Sequence, residues 1–160
     1  MVRPATPPVS PGAAALRGPV ACIDLETTGG TSARHRIIEV GIVLLEGGQV
    51  VEAWSSLVNP GIRIPPTIVD FTGISNDMVD GAPTFHDLRA EVRRRLDGRL
   101  FVAHNARFDY GFVRSEFRRA GEKFSRVHTE VKSVQYLYDD GAEAHFMDEE
   151  SFEQFGLPHA

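Results

Sequence analysis

The 160 residues predict an α/β domain built on a mixed sheet in the order βββαβα, followed by a short β-rich segment. Three observations carry that prediction. Apolar, β-branched runs separated by turn signals fill the stretch from Val20 to Val58; two segments with helical apolar spacing flank a short apolar run; and texture and charge change near residue 120. The length suits one domain of ordinary size. Hydrophobic residues at 42% and charged residues at 24% are globular values, and no apolar run approaches the roughly twenty residues that cross a bilayer. Disordered and membrane-spanning classes are excluded, and no membrane partner is expected. Cys22 stands alone and the N-terminus lacks a signal-peptide apolar region, so a cytoplasmic, reducing location is expected.

Residues 1–17, MVRPATPPVSPGAAALR, carry four prolines and no hydrophobic periodicity, which reads as a disordered tail. Val20–Leu25 then forms the first strand, closed by the turn signal Thr27-Thr28-Gly29-Gly30. Arg36–Leu45 and Gln49–Val58 are strands joined by a hairpin turn at Glu46-Gly47-Gly48. Asn59-Pro60 ends the third strand; paired prolines, a short turn of helix and the loop Thr72-Gly73-Ile74-Ser75 come next. Phe85, Leu88, Val92 and Leu96 fall at helical spacing, with Thr84 as N-cap and Gly98 just past the end. Arg99–Ala103 is a further strand, and a second helix follows with Phe108, Phe112, Val113 and Phe117 on one face and Asn105 as its N-cap. An antiparallel meander feeding helix-connected strands describes an α/β sheet of the ribonuclease H type.

Residues 1–120 hold 14 basic and 13 acidic side chains, whereas 121–160 hold 3 and 9. The net charge of −5 therefore sits at the end of the chain. An acid excess argues against a simple electrostatic nucleic-acid binder, which needs a concentrated basic face. It leaves open an enzyme that holds phosphodiesters through metals.

Asp24 and Glu26 stand two apart on the first strand, and period-two geometry points both carboxylates to one face. Like charges held that close repel unless a cation lies between them, and oxygen-rich sites of this kind favour Mg²⁺ or Mn²⁺. An i,i+2 acid pair also occurs on ordinary solvent-facing strands. Its company sets this one apart: Thr27-Thr28-Gly29 follows at once, positioned to offer hydroxyls and backbone N–H groups, and Asp109 opens the helix after the Leu100–Ala103 run. Alone, Asp109 reads as a first-turn acid facing the helix dipole. Arg93-Arg94-Arg95 reads as a solvated helix face with some capacity to meet a strand, and Cys22 as a core thiol.

DLETTG, Asp24 to Gly29, together with HNARFD, His104 to Asp109, resembles the first two motifs of the DEDDh 3′–5′ exonucleases, the class of the bacterial DNA polymerase III proofreading subunit. The resemblance covers residues 19–120, including RIIEVGIV, LVNP, TGIS and APTF. It implies an exonuclease domain over 18–120 that removes nucleotides from nucleic-acid 3′ ends. It further implies Asp24, Glu26 and Asp109 as catalytic metal ligands for two Mg²⁺ or Mn²⁺ ions. Thr27, Thr28, Gly29, Gly73 and Ile74 would contact the terminal nucleotide, with Asn105 and Phe108 supporting the site. The implied partner is a single-stranded 3′ end, DNA ahead of RNA, and in addition a DNA polymerase subunit. The family's third motif, His-x4-Asp on a C-terminal helix, is not found after the second, so the domain reads as truncated and its turnover as impaired. His145 and Glu150 do not supply that motif.

Val134 to Pro158 is similar to part of the middle β-barrel domain of bacterial translation elongation factor P, in its QYLY-x-DG, HFMD and E-x-x-EQ elements. With the charge shift, this sets 121–160 apart as a β-rich segment. Val131–Tyr138 and Ala142–Met147 are expected to pair as a hairpin around Asp139-Asp140-Gly141, although a helix over Glu149–Phe155 also fits the pattern. Two further functions stay open: an inactive module that grips a 3′ end, and a translation-factor-like fragment contacting ribosome or tRNA.

Overall fold

The computed structural model describes residues 18–124, 134–141, 143–148, 152 and 154–158. The tail expected over 1–17, residues 131–133 and 142 of the expected hairpin, and 149–151 and 153 of the alternative helix lie outside the described residues. β1 (Val20–Thr27), β2 (Ile37–Glu46) and β3 (Gln49–Leu57) form the antiparallel meander. β4 (Leu100–Val102) lies parallel to β1, giving the order β3-β2-β1-β4. Three helices, α1 (Pro66–Thr72), α2 (Asn76–Asp80) and α3 (Phe85–Leu96), connect β3 to β4, and α4 (Ala106–Arg119) follows. The order is the one read from the sequence, and β1 runs on through Glu26 and Thr27.

Local chemistry explains the boundaries. Gly47 and Gly48 take φ of 61° and 83°, the left-handed pair that a two-residue hairpin turn of matching twist requires. Thr84 and Asp87 form a reciprocal capping box: Thr84 N–H donates to Asp87 Oδ2 at 2.9 Å and Asp87 N–H to Thr84 Oγ1 at 3.3 Å. Asn105 caps α4 by accepting from Phe108 N–H.

Strand alternation then sorts the side chains. Ala21, Ile23 and Leu25 of β1 are buried, with Cys22, Asp24 and Glu26 on the other face. The buried row meets Phe85, Val92 and Leu96 of α3 and Phe112, Val113 and Phe117 of α4 in one core. Phe117 sits edge-on to Phe85 at 5.2 Å and stacks on Phe124 at 4.7 Å. A smaller cluster of Ile38, Ile64, Ile74 and Val79 seats the α1–α2 segment beside the start of β2. Residues 121–124, placed in the second part of the chain by the charge shift, are tied to this core. Besides the Phe124 stack, Glu122 accepts from Arg89 and Arg93 of α3.

β5 (Val134–Asp139), β6 (Glu143–Asp148) and β7 (Gln154–Pro158) make a separate antiparallel sheet. The expected hairpin is present where described, turning at Gly141 (φ 86°), whose N–H donates to Asp139 Oδ1 at 2.7 Å. The alternative helix gives way to β7 over its described final residues, Gln154 and Phe155. Among the described residues no helix is long and apolar enough to cross a membrane.

One buried charge joins the loop after β1 to α4. Glu116, 2% exposed, accepts two bonds from Arg36, Nε at 2.7 Å and NH2 at 2.9 Å, and a third from Arg119 at 3.2 Å. Arg119 and Ser115 also donate to the Ser32 carbonyl. Removing one partner from a buried pair strands the other charge away from water. Arg36→Ala is therefore expected to destabilise the fold by about 2–3 kcal/mol, toward the low end for buried pairs because Arg119 remains, as read from the urea midpoint.

Candidate active site

The end of β1 is crowded with acid. Glu26 pairs in register with Glu39 of β2, and Asp24 pairs with Gly41, so Asp24 and Glu26 share a face and a third carboxylate stands across from Glu26. Burial first, then Asp24 and Glu39, push the Glu26 carboxyl above the usual carboxylate range. Asp109 comes from the first turn of α4 and is 5% exposed. Burial, reinforced by Asp24, pushes its carboxyl up to about 6 against backbone hydrogen bonds and His104, which favour the charged form.

Asp24 and Asp109 are thus brought together from a strand and a helix that lie far apart in sequence. Among the described residues no group of three or more His, Cys, Asp or Glu is spaced to hold a metal ion.

The loop after β1 is held tightly. Thr28, 1% exposed, donates its N–H to the Arg36 carbonyl and accepts from Arg36 N–H at its hydroxyl. Thr27 donates its hydroxyl to Gly29 O. The Thr28 hydroxyl, expected beside a terminal nucleotide, closes the loop through Arg36 N–H in this structure. At Gly29 (φ 155°) an added Cβ would lie 2.5 Å from the His35 ring, so no side chain fits while the imidazole rests there. His35 is the lid on that glycine, with Nδ1 within 3.2 Å of Thr31.

Ile74, expected to contact the terminal nucleotide, lies in the smaller apolar cluster. Its side chain is 4% exposed in the α1–α2 cluster and its N–H donates to Thr72 Oγ1, while Gly73 (φ 76°) caps α1 through its bond to Val69 O. The exposed group beside that loop is Phe71, 84% exposed, which the sequence did not single out because helical spacing alone does not say which apolar residue lacks a neighbour. Asn105 is the α4 cap, and Phe108 tilts against Phe112 at 4.8 Å, so both support the helix that carries Asp109. An open depression of about 410 Å³ lies on the Asp24 face, lined in part by Gly41, Val43, Ala53 and Ser55. His145 is engaged elsewhere: Nε2 lies 2.9 Å from Asp140 Oδ2 and its ring stacks on Tyr138.

Comparison with known proteins gives this arrangement a family. Residues 21–151 match the family described as Exonuclease. The chain belongs to that family. It is 45% identical over 100 residues to the 3′-5′ exonuclease DinG of Bacillus subtilis, covering 62% of this chain and 11% of the relative. To the PolC-type DNA polymerase III of Clostridium perfringens it is 36% identical over 118 residues, covering 73% of this chain and 8% of the relative. The chain therefore spans about a tenth of the length of these two relatives. Exonuclease I of E. coli, solved in complex with a dT13 oligonucleotide, shares the fold with a TM-score of 0.61 at 19% identity, over 66% of this chain and 25% of that one. A mixed α/β sheet of the ribonuclease H type is thus the fold of this exonuclease domain.

A buried acid whose carboxyl is raised to about 6 stabilises the protein least when charged. The destabilisation is complete above that value, shrinks as pH falls through 6 toward 4, and vanishes once the unfolded chain is protonated as well. Asp109→Asn is expected to gain about 2–3 kcal/mol over the native protein at pH 8 in chelator and to lose that advantage near pH 4, measured by urea unfolding at both pH values.

Proposed function

We propose that this exonuclease domain hydrolyses the terminal phosphodiester at the 3′ end of a single strand, DNA ahead of RNA, with Asp24, Glu26 and Asp109 as its acidic centre. The observation that carries the reading is the burial of Asp109 beside Asp24: burial first, and then the Asp24 charge, raise the Asp109 carboxyl. Hard oxygen donors under mutual repulsion fit a divalent cation such as Mg²⁺ or Mn²⁺. Asp24 and Asp109 would hold it, with Glu26 beside Asp24 for a second. Bound there, such ions supply an activated water and charge stabilisation at the leaving 3′ oxygen.

The chain's own residues do the rest. Backbone N–H groups of Asn105 and Asp109 orient the Asp109 carboxylate, and His104 favours its ionised form. The Thr27–Gly29 turn, braced by Arg36 and His35, gives the terminal nucleotide a rigid wall. Phe71 offers a free aromatic face to a base, in the place expected of Ile74. A sheet in which β5–β7 pair among themselves, with Glu122 and Phe124 tied to α3 and α4, supports reading β5–β7 as a second unit attached after Phe124. The PolC-type relative supports association with a DNA polymerase.

A second reading, 3′-end binding without cleavage, is favoured by the lack of a three-carboxylate cluster among the described residues. One experiment separates the two. A 5′-labelled single strand is expected to shorten stepwise from its 3′ end in Mn²⁺ but not in chelator, and Asp24→Ala should abolish this. Turnover by these 160 residues, which carry two of the three family motifs, is expected to be slow, since general-base catalysis contributes on the order of 10²–10⁴ in rate. Binding without shortening leaves the second reading; neither binding nor shortening removes both. Independently, Phe71→Ala is expected to weaken strand binding by about 1–3 kcal/mol in a fluorescence titration, the usual value of one base stacked on an aromatic ring.

A further inference from the structure

The described residues contain twelve arginines, and seven of them are engaged by acids. The run Arg93-Arg94-Arg95, which the sequence offered as a face with some capacity to meet a strand, is among these. Arg93 binds Glu122, while Arg94 and Arg95 bind Glu52 and Glu91. Its charge is spent inside the fold.

The five arginines whose side chains make no ion pair or hydrogen bond among the described residues are Arg34, Arg63, Arg107, Arg114 and Arg118, all exposed. Three of them share α4. Arg107, Arg114 and Arg118 are spaced i, i+7 and i+11, which places them in one narrow stripe on a helix. The opposite side of α4, with Asp109, Phe112, Val113, Glu116 and Phe117, is buried. Asp109 and Glu116 are the only acids of α4, so the exposed side of this helix carries no negative charge. Arg34 joins the stripe from the flank: its loop is fastened to α4 by Ser115 and Arg119, both donating to the Ser32 carbonyl.

The stripe begins two residues before Asp109 and runs about 16 Å along the helix, away from the acidic centre. A guanidinium fork matches a phosphate better than any other common anion on a polymer, and unpaired arginines repeated along a line suit a polyanion with regularly spaced charges. We propose that the outer stripe of α4, Arg107, Arg114 and Arg118 with Arg34 beside it, is a track for the sugar–phosphate backbone of the substrate strand on the 5′ side of its terminal nucleotide. The proposal rests on the reading of Asp24 and Asp109 as the site that holds the 3′ end. It explains how a chain with a net charge of −5 would grip nucleic acid: among the described residues acids engage seven of the twelve arginines, and four of the other five gather along α4.

Each phosphate neutralised on a single strand adds about −0.7 to the slope of log K against log salt. The test measures binding of an oligothymidylate carrying a 3′-terminal phosphorothioate, in Mg²⁺, by fluorescence anisotropy between about 50 and 200 mM salt. Arg114→Gln/Arg118→Gln is expected to make the slope shallower by about 1.4, while Arg63→Gln, which removes an unpaired arginine elsewhere, keeps the native slope. Circular dichroism melting confirms that both variants fold. A double variant with the native slope overturns the track, and so does an equal loss in Arg63→Gln, which would make the effect one of net charge. If the double variant binds the strand normally but loses affinity for an acidic peptide, the stripe serves a protein instead. Failure of the native protein to bind the strand strikes the 3′-end reading itself and is thereby distinguishable from failure of the track.

Discussion

A carboxylate sealed in a protein interior must be matched by cations whose positions it then dictates, and Glu116 imposes that constraint on this fold. With 2% of its surface exposed it accepts three guanidinium bonds, two from Arg36 and one from Arg119. Arg36 belongs to the strand-entry side of the loop after β1, and its backbone pairs with Thr28 across the loop mouth. Arg119 grips the middle of the same loop through the Ser32 and Ala33 carbonyls. The turn that follows Asp24 and Glu26 is therefore fastened to the helix that carries Asp109. Leaving Glu116 without a partner would cost more than the pair contributes, so this geometry is enforced rather than merely favoured.

That rigidity holds an unfavourable arrangement in place. Asp24, Glu26, Glu39 and Asp109 are carboxylates at one end of a sheet, and burial and mutual repulsion raise the Glu26 and Asp109 carboxyls. A fold stabilises such a centre only through apolar packing elsewhere, here the Phe85–Phe117–Phe124 rings and the β1–α4 core. Perturbed acids of this kind gather at functional sites, where binding energy from substrate or ion relieves the repulsion. The family match gives the chain its family, Exonuclease, and the solved structure of exonuclease I shares its fold.

Much of this was legible in the chain because it depends on short-range rules. Apolar, β-branched runs in Val20–Leu25 and Arg36–Leu45 assigned the strands, Gly47-Gly48 the hairpin, Thr84 and Asn105 the helix starts, and Asp139-Asp140-Gly141 the second hairpin. The acids Asp24 and Asp109 were found by motif. The burial of Thr28 and Ile74 was not legible, because a polar residue or a loop position says nothing about burial: the Thr28 hydroxyl is bonded by Arg36 N–H, and Ile74 lies in an apolar cluster with residues of β2 and α2. Glu39 and Phe71 escaped notice for the converse reason, since pairing register and the absence of a neighbour are not local properties.

The arginines draw the line most clearly. Sequence alone determined how many there are, that α3 and α4 carry most of them, and that the total charge is negative. It also determined the element order, since propensity, capping and hydrophobic period act within a few residues. Which arginines are neutralised was decided only in three dimensions, because Arg36 meets Glu116 across eighty positions and Arg94 meets Glu52 across forty-two. Ion pairs form wherever packing brings opposite charges within a few ångströms, and packing is a property of the whole fold. The same holds for the meeting of Asp24 with Asp109, which exists because β1 and the N-terminus of α4 lie side by side.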